Sequence, residues 1–178
     1  MPEVIRQHQH DKRVRIWSAG CSTGEEPYSI AIIMREMINP NWNTKLLASD
    51  LDSNVLNHAK SGIYRKDQLK TVSEPRLKKW FCDRTNDNQV KVKDSLKKII
   101  TFNQLNLLHE WPMRGKFDII FCRNVMIYFD QEIRKRLINR YAKILQSNGY
   151  LFIGHSENLH NNNRYFKPLG RTIYQQIN

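Results

Sequence analysis

The chain has 178 residues, and its 29 Lys and Arg against 17 Asp and Glu give a formal net charge of +12 at pH 7. This length fits one folded domain, and 40% hydrophobic residues with only 7 Gly and 6 Pro exclude a disordered, collagen-like or low-complexity chain. No apolar run approaches the ~18 residues that span a bilayer, and the first residues lack a signal-peptide pattern, so we expect a cytoplasmic protein without membrane insertion. The charge predicts an anionic partner, whether nucleic acid, a membrane surface or an acidic protein.

Cysteine usage points to neither a disulfide scaffold nor a metal. Cys21, Cys82 and Cys122 are odd in number and widely spaced. They form no CxxC pair and have no nearby His or Cys to complete a zinc site. The sequence therefore indicates no metal-binding residues.

Short β-branched runs alternate with helical patterns from residue 14 onward. Residues 14–17 and 46–50 predict two buried strands. Between them, Pro27 fits the first turn of a helix, where its missing N–H costs nothing. Ser53 is predicted to cap the helix after the second strand. This β-α-β-α order is typical of a parallel sheet.

Residues 63–98 interrupt this rhythm. Here Ser73 is predicted to cap a short helix, residues 86–88 give a turn signal, and residues 89–93 alternate like an exposed strand. We interpret the segment as a small inserted β subdomain.

The rhythm resumes after residue 98. Strands are predicted at 99–102, 117–122, 150–154 and 172–177, and a long helix is predicted to begin after the cap Asp130 and to end at Gly149. The predicted fold is α/β over residues 1–178: a doubly wound, mostly parallel sheet with a small antiparallel subdomain inserted at about 63–98.

In such sheets, ligands bind beyond the carboxyl ends of the strands. The first strand is followed by Gly20 and Gly24, a departure from the dinucleotide pattern GxGxxG. Glu25 and Glu26 then open the helix, where they suit the helix dipole but repel a pyrophosphate. A cationic ligand without phosphate, such as S-adenosylmethionine, fits better. The alternative that both acids only cap the helix stays open.

Polar residues also follow the other strands. Asp50 is placed to accept hydrogen bonds from both hydroxyls of a ribose. Asn106 and Leu107 offer amide and backbone groups to an adenine edge. Arg123 and Asn124 begin a polar cluster after the fourth strand, where a transferable group and its acceptor are expected to meet.

Five segments together carry a family resemblance. They are WSAGCSTGEEPYS (17–29), ASDLD (48–52), SGIYR (61–65), FCRNVMIYF (121–129) and GHSEN (154–158). In this order they resemble the bacterial chemotaxis receptor methyltransferases of the CheR type, and the match runs from about residue 14 to the C-terminus.

The resemblance implies transfer of a methyl group from S-adenosylmethionine to glutamate side chains of chemoreceptors, with S-adenosylhomocysteine as the product. Tyr128 would lie close to the methyl group. The expected cofactor-binding residues are Gly20, Gly24, Glu25, Asp50, Asn106, Leu107, Asn124 and Val125. Our own hypothesis is that Arg123 or His155 positions the incoming carboxylate. A structural ion pair for Arg123 and a hydrogen-bonded loop position for His155 stay open as alternatives.

The resemblance also implies a partner surface. The segment 63–98 holds 11 Lys and Arg and 5 Asp and Glu, half of the net charge, which we interpret as a docking surface for Glu-rich receptor helices. In some family members, the counterpart of this insert binds a receptor tail peptide, and an exposed strand would do so by edge addition. We expect a monomer that binds no nucleic acid.

One departure from the family and two alternative functions remain. Only about 13 residues precede the first strand, so we expect the family's N-terminal helical domain to be absent and the cofactor site to be open on one side. A non-catalytic binding module with this fold is one alternative. A nucleic-acid methyltransferase is the other, although the fourth strand ends in Cys-Arg-Asn-Val rather than in the Asn/Asp-Pro-Pro-aromatic pattern used on exocyclic amines.

Overall fold

The computed structural model describes residues 1–83, 88–159, 164–170 and 172–177. Two residues of the turn predicted at 86–88 lie outside these ranges. The helices are α1 (Pro2–Gln7), α2 (Glu25–Met37), α3 (Ser53–Ser61), α4 (Glu74–Trp80), α5 (Asp94–Lys97) and α6 (Gln131–Ile144). The strands are β1 (Arg13–Ala19), β2 (Asn43–Asp50), β3 (Ile63–Arg65), β4 (Phe81–Asp83), β5 (Gln89–Val92), β6 (Ile100–Gln104), β7 (Phe117–Cys122), β8 (Leu145–Ile153), β9 (Phe166–Pro168) and β10 (Ile173–Gln176).

Seven strands form the large sheet, in the order β6-β2-β1-β7-β8-β10-β9. The five strands from β6 to β8 pair in parallel, and β10 pairs antiparallel with β8 and β9. Ile16 of β1 pairs with Leu46 on one side and with Ile119 on the other. The strand order reverses at this point, which confirms the predicted doubly wound sheet and places the crevice for a ligand after β1.

Three short strands form a second, antiparallel sheet, in the order β3-β5-β4. This sheet confirms the small antiparallel component of the predicted fold. The prediction of an exposed strand at 89–93 is wrong, because β5 is the central strand, with Val90 paired to both Tyr64 and Asp83 and largely buried. The edges of this sheet are β3 and β4.

The core lies on both faces of the large sheet, because successive residues of a strand point to opposite faces. Ile16 packs in one cluster with Met34 of α2, and the buried residues of the small sheet join that cluster. Trp17 packs in the other cluster with Leu137 and Tyr141 of α6. Helices α2 and α6 therefore cover opposite faces, and both begin at the carboxyl edge of the parallel strands.

Helix boundaries show two further differences from the sequence prediction. Asp52, not Ser53, is the N-cap of α3, since its carboxylate accepts the Asn54 N–H at 2.7 Å. Gly149 lies inside β8, because α6 ends at Ile144 and continues directly into that strand. The Asp130 cap of α6 is confirmed by its hydrogen bond from the Ile133 N–H at 2.8 Å.

All three cysteines are free thiols. Cys21 and Cys122 are buried, whereas Cys82 is exposed on β4. Burial, with a smaller contribution from Asp50, raises the pKa of Cys21 to about 12, and burial raises that of Cys122 to about 12.

Within the described ranges of the chain, no helix combines the length and the apolar character that crossing a bilayer requires.

Candidate active site

A tight turn, residues 20–24, joins β1 to α2 at the centre of the sheet. Gly20 has a φ of +86°, and a Cβ on it would lie 2.3 Å from Val125 Cγ2. Glycine satisfies both the left-handed conformation and this close approach. The N–H groups of Gly20 and Cys21 donate to the Ser49 carbonyl at 2.8 and 2.9 Å. The turn is therefore packed between β2 and the loop that follows β7.

Gly24 closes this turn and is the N-cap of α2. Its φ is +101°, and a Cβ on it would lie 2.7 Å from Tyr64 Oη and 2.9 Å from Ala59 Cβ. Tyr64, in β3, donates its hydroxyl hydrogen to the Thr23 carbonyl at 2.7 Å. The small sheet thus helps to hold the turn in place.

Asp50 lies at the end of β2 with its carboxylate fixed by two backbone groups. Its Oδ2 accepts the Ser22 N–H at 2.8 Å, and its Oδ1 accepts the Asp52 N–H at 3.1 Å. Each carboxylate oxygen has about two lone-pair directions, so both retain capacity for a hydroxyl donor. The half-buried carboxylate therefore suits the vicinal hydroxyls of a ribose.

The two acids at the start of α2 have different surroundings. Glu25 is exposed and accepts the Thr23 hydroxyl at 2.7 Å. Glu26 is partly buried, accepts the Ser18 hydroxyl at 2.7 Å, and pairs with Arg123, whose Nη1 lies 3.3 Å from Glu26 Oε2. Burial raises the pKa of Glu26, and the bonds from Ser18 and Arg123 oppose that rise. Glu25 is thus the acid available to a ligand, whereas Glu26 holds Arg123.

A buried carboxylate, Glu157, organises the loop after β7. It is 7% exposed and accepts the N–H groups of Asn124, Val125 and Ile127 at 3.1, 3.0 and 3.3 Å, together with that of Gly154. Glu157 is not among the site residues predicted from the sequence. Its place in the GHSEN segment was the available signal.

Glycine is also required at the end of β8. A Cβ on Gly154 would lie 2.6 Å from Asn124 Oδ1 and 2.7 Å from Glu157 Oε2. Asn124 itself has a left-handed φ of +58°, a conformation that Asn tolerates better than most residues. The ends of β7 and β8 are therefore joined through backbone groups and one carboxylate.

Two predicted catalytic side chains lie on the surface beside this loop. Tyr128 ends the 3-10 turn Met126–Tyr128 and is 78% exposed, whereas Met126 is buried beneath it. His155 is exposed as well. The structure thus places Arg123 beside Glu26 and leaves the rings of Tyr128 and His155 exposed to solvent.

The loop after β6 begins beside Asp50, whose carbonyl accepts the Leu105 N–H at 2.8 Å. Asn106 Oδ1 accepts the Leu108 N–H at 2.9 Å, so this oxygen shapes its own turn. Leu107 is buried, and its carbonyl accepts the Trp111 indole N–H at 3.2 Å. The predicted adenine-binding pair therefore lies on an ordered turn next to the predicted ribose-binding acid.

These groups fit an organic cation better than a metal or a pyrophosphate. Asp50 lies at the end of β2 and Glu25 at the start of α2, and the turn of residues 20–24 leads from β1 into that helix. In the ranges that the structure describes, no group of three or more His, Cys, Asp or Glu is arranged to hold a metal ion. A sulfonium nucleoside meets these requirements.

The strand order, the glycine turn after β1 and the acid at the end of β2 define a class I S-adenosylmethionine-dependent methyltransferase. Within that class, residues 1–175 match the family described as CheR methyltransferase, SAM binding domain, and the chain belongs to this family. S-adenosylmethionine is therefore its cofactor.

Curated relatives agree with this family. The chain is 41% identical to a probable chemotaxis protein methyltransferase of Rhizobium etli over 98% of this chain and 67% of that protein. It is 44% identical to a chemotaxis protein methyltransferase of Borreliella burgdorferi over 87% of this chain and 56% of that protein. It is 45% identical to one of Salmonella typhimurium over 96% of this chain and 62% of that protein. The chain thus spans about three fifths of the length of these relatives.

A solved structure supports the fold alone. PKMT2 from Rickettsia typhi superimposes with a TM-score of 0.50 at 20% identity, over 80% of this chain and 21% of that one.

Replacing Glu157 tests its structural role. Glu157→Gln puts an amide donor against backbone N–H groups, so we expect the free energy of unfolding to fall by about 1–3 kcal/mol and the affinity for S-adenosylhomocysteine to fall with it. Urea denaturation and calorimetry measure the two effects. Glu132→Gln, on the exposed face of α6, is the matched control. Equal stability of both variants would contradict the role given to Glu157.

Proposed function

We propose that the protein is a protein-glutamate O-methyltransferase that acts on the cytoplasmic helices of chemoreceptors. The observation that carries this proposal is the position of Arg123. This cation has 44% of its side chain exposed, and Glu26, in the first turn of α2, holds it at the end of β7. An acceptor carboxylate pairs favourably with a cation, and Arg123 supplies one at this position. The names of the curated relatives support chemotaxis as the setting.

The proposed cofactor contacts follow from the chemistry of each strand end. Glu25 binds the ammonium group, Asp50 accepts from the ribose hydroxyls, and Leu107 offers its backbone to the adenine. The turn of Gly20 permits close approach of the cofactor to the backbone. The complete proposed set is Gly20, Gly24, Glu25, Asp50, Asn106, Leu107, Asn124 and Val125.

The reaction needs little acid-base chemistry from the chain. A glutamate side chain with an ordinary pKa of about 4.3 is already ionised at neutral pH, so no general base is required. S-adenosylmethionine, when bound, supplies the methyl group: a carboxylate oxygen forms the new C–O bond, the C–S bond breaks, and its electron pair stays on sulfur. The residues of the site accelerate the step by aligning the acceptor oxygen with the methyl carbon and sulfur.

Arg123 orients the acceptor in this proposal. Its guanidinium is always charged and presents a planar fork that matches a carboxylate. Glu26 occupies one nitrogen, which leaves other N–H donors for the acceptor. Tyr128 lies beside the methyl group, and His155 contributes a second polar contact to the acceptor.

The basic insert is the proposed docking surface for the acidic receptor helix. Some of its charges are paired within the chain: Lys78 with Glu74 at 2.6 Å, and Lys66 with Asp83 at 2.8 Å. These pairs are exposed and contribute little to stability, so their lysines remain available to an acidic partner. Lys91, on the central strand, is exposed as well.

The insert also offers a separate binding surface for a receptor tail peptide. Strand β4 is an edge of the small sheet, and beside it lies a groove of about 290 Å³. The groove is lined by Lys66, Leu69, Leu77, Lys78, Phe81, Cys82, Asp83 and Val90. Addition of an extended peptide to β4 would place its side chains over this lining.

The remaining features of the proposal concern organisation. We propose residues 63–98 as a subdomain inserted into the methyltransferase domain of residues 1–178. We propose that the protein acts in the cytoplasm, where the substrate helices lie, as a monomer that does not bind nucleic acid.

Labelled methyl transfer tests the activity. With labelled S-adenosylmethionine and a receptor cytoplasmic fragment, we expect base-labile carboxyl methyl esters and no label on RNA or DNA.

Asp50→Asn removes one ribose acceptor and should weaken S-adenosylhomocysteine binding at least ~10-fold, whereas Asp52→Asn keeps an equally good helix cap and should bind normally.

The outcomes of this experiment separate the alternatives. Binding of S-adenosylhomocysteine without any ester product would identify a non-catalytic binding module. Label on RNA or DNA would identify a nucleic-acid methyltransferase. Unchanged affinity in Asp50→Asn would overturn the ribose assignment.

Arg123 is tested by separating acceptor binding from cofactor binding. Arg123→Gln should lower kcat/KM for the receptor fragment by about 10-fold or more, because a charge-assisted pair is lost, with little change in S-adenosylhomocysteine affinity. Arg114→Gln, at an exposed position before β7, serves as the control. Normal kcat/KM in Arg123→Gln would show that its ion pair with Glu26 is only structural.

The basic surface is tested by charge removal. Replacing Lys78, Lys79, Lys91 and Lys93 by Gln should weaken receptor binding and reduce its salt dependence, because electrostatic attraction between exposed charges is screened. Titration of a receptor fragment at several ionic strengths measures both effects. The affinity for S-adenosylhomocysteine should not change. Receptor binding that is insensitive to the four substitutions would exclude this surface.

A further inference from the structure

Arg140, on α6, contacts the loop after β6 through its whole guanidinium. Its Nη1 donates to the Leu107 carbonyl at 2.6 Å, and its Nη2 donates to the His109 carbonyl. The guanidinium carbon lies 3.9 Å from the centre of the Trp111 ring. One side chain thus holds three positions of a five-residue turn.

Trp111 fixes the other side of this turn. Its ring packs against Trp17 at 4.8 Å and Tyr141 at 5.1 Å between centroids, and both of those residues are fully buried. Its indole N–H donates to the same Leu107 carbonyl as Arg140. The Leu107 carbonyl is therefore held by two donors, one of which, Trp111, packs against the core.

We propose that Arg140 is a positioning residue for the adenine of the cofactor, acting through Leu107. This inference rests on the cofactor site proposed above. Hydrogen bonds to a ligand edge require donors held within about 0.5 Å of the productive geometry. A loop backbone lacks that rigidity unless side chains fix it, and Arg140 supplies a planar fork with a stacking surface.

A positioning role differs from general stabilisation in one measurable respect. The Leu107 N–H suits N1 of adenine, which is an acceptor, whereas N1 of hypoxanthine carries a hydrogen. A site that positions this donor discriminates between S-adenosylhomocysteine and S-inosylhomocysteine. Loss of positioning lowers that discrimination, whereas general destabilisation weakens both ligands equally.

The experiment measures both affinities by calorimetry on the whole chain. We expect Arg140→Met to bind S-adenosylhomocysteine about 10-fold more weakly than wild type and to lose most of its preference over the inosine analogue, because a site with a displaced donor no longer rejects the mismatched edge. Arg140→Lys keeps the charge but lacks the planar fork and the stacking on Trp111, so we expect it to lose affinity and discrimination as well. Arg136→Met, an exposed position one turn away on α6, should match wild type.

The results separate this inference from the proposed function. Wild-type binding with unchanged discrimination in both Arg140 variants would overturn the inference alone. Equal weakening of both ligands, accompanied by lower thermal stability, would assign Arg140 a structural role and also overturn it. Failure of the wild-type chain to bind either ligand would overturn the cofactor site and this inference together. If Arg140→Met does not fold, Trp111→Phe, which keeps an aromatic ring but removes the indole N–H, should show a smaller loss of discrimination, and an unchanged value there would also count against the inference.

Discussion

The carboxylate of Glu157 is the constraint on which the catalytic end of the sheet depends. A buried carboxylate is costly unless donors satisfy it, and this one collects N–H groups from both neighbouring strand ends. Two of the residues that donate to it are Asn124, whose backbone is left-handed, and Val125, which packs against Gly20. The ends of β7 and β8 and the turn after β1 are thus one packed unit, so the proposed cofactor and acceptor positions are fixed relative to each other.

Charge is distributed in agreement with this arrangement. The central strand ends carry acids that suit a cationic nucleoside, and Glu26 brings one cation, Arg123, into the same region. Half of the net positive charge lies in residues 63–98, and Tyr64 of this segment contacts the glycine turn. A partner attracted to the insert would therefore bind next to the element that shapes the cofactor site.

The sequence predicted the features that depend on local patterns. Parallel strands, the Asp130 cap and the polar strand ends follow from periodicity and from capping chemistry. Features that depend on long-range contacts were missed or misread. Glu157 acts through backbone groups about 30 residues away, and Arg140 reaches a carbonyl 33 residues away, which no local pattern encodes. The burial of β5 was misread because alternation does not show how many neighbours a strand has.

The three cysteines differ in exposure, so one of them can be labelled selectively. Thiol reagents react with the thiolate, and the raised pKa values of Cys21 and Cys122 keep both as buried, protonated thiols at neutral pH. Cys82 is the exposed thiol, and it lies in the lining of the groove beside β4. A maleimide fluorophore added to the natural sequence would therefore label the insert selectively and report what binds there, with no cysteine engineered in or out.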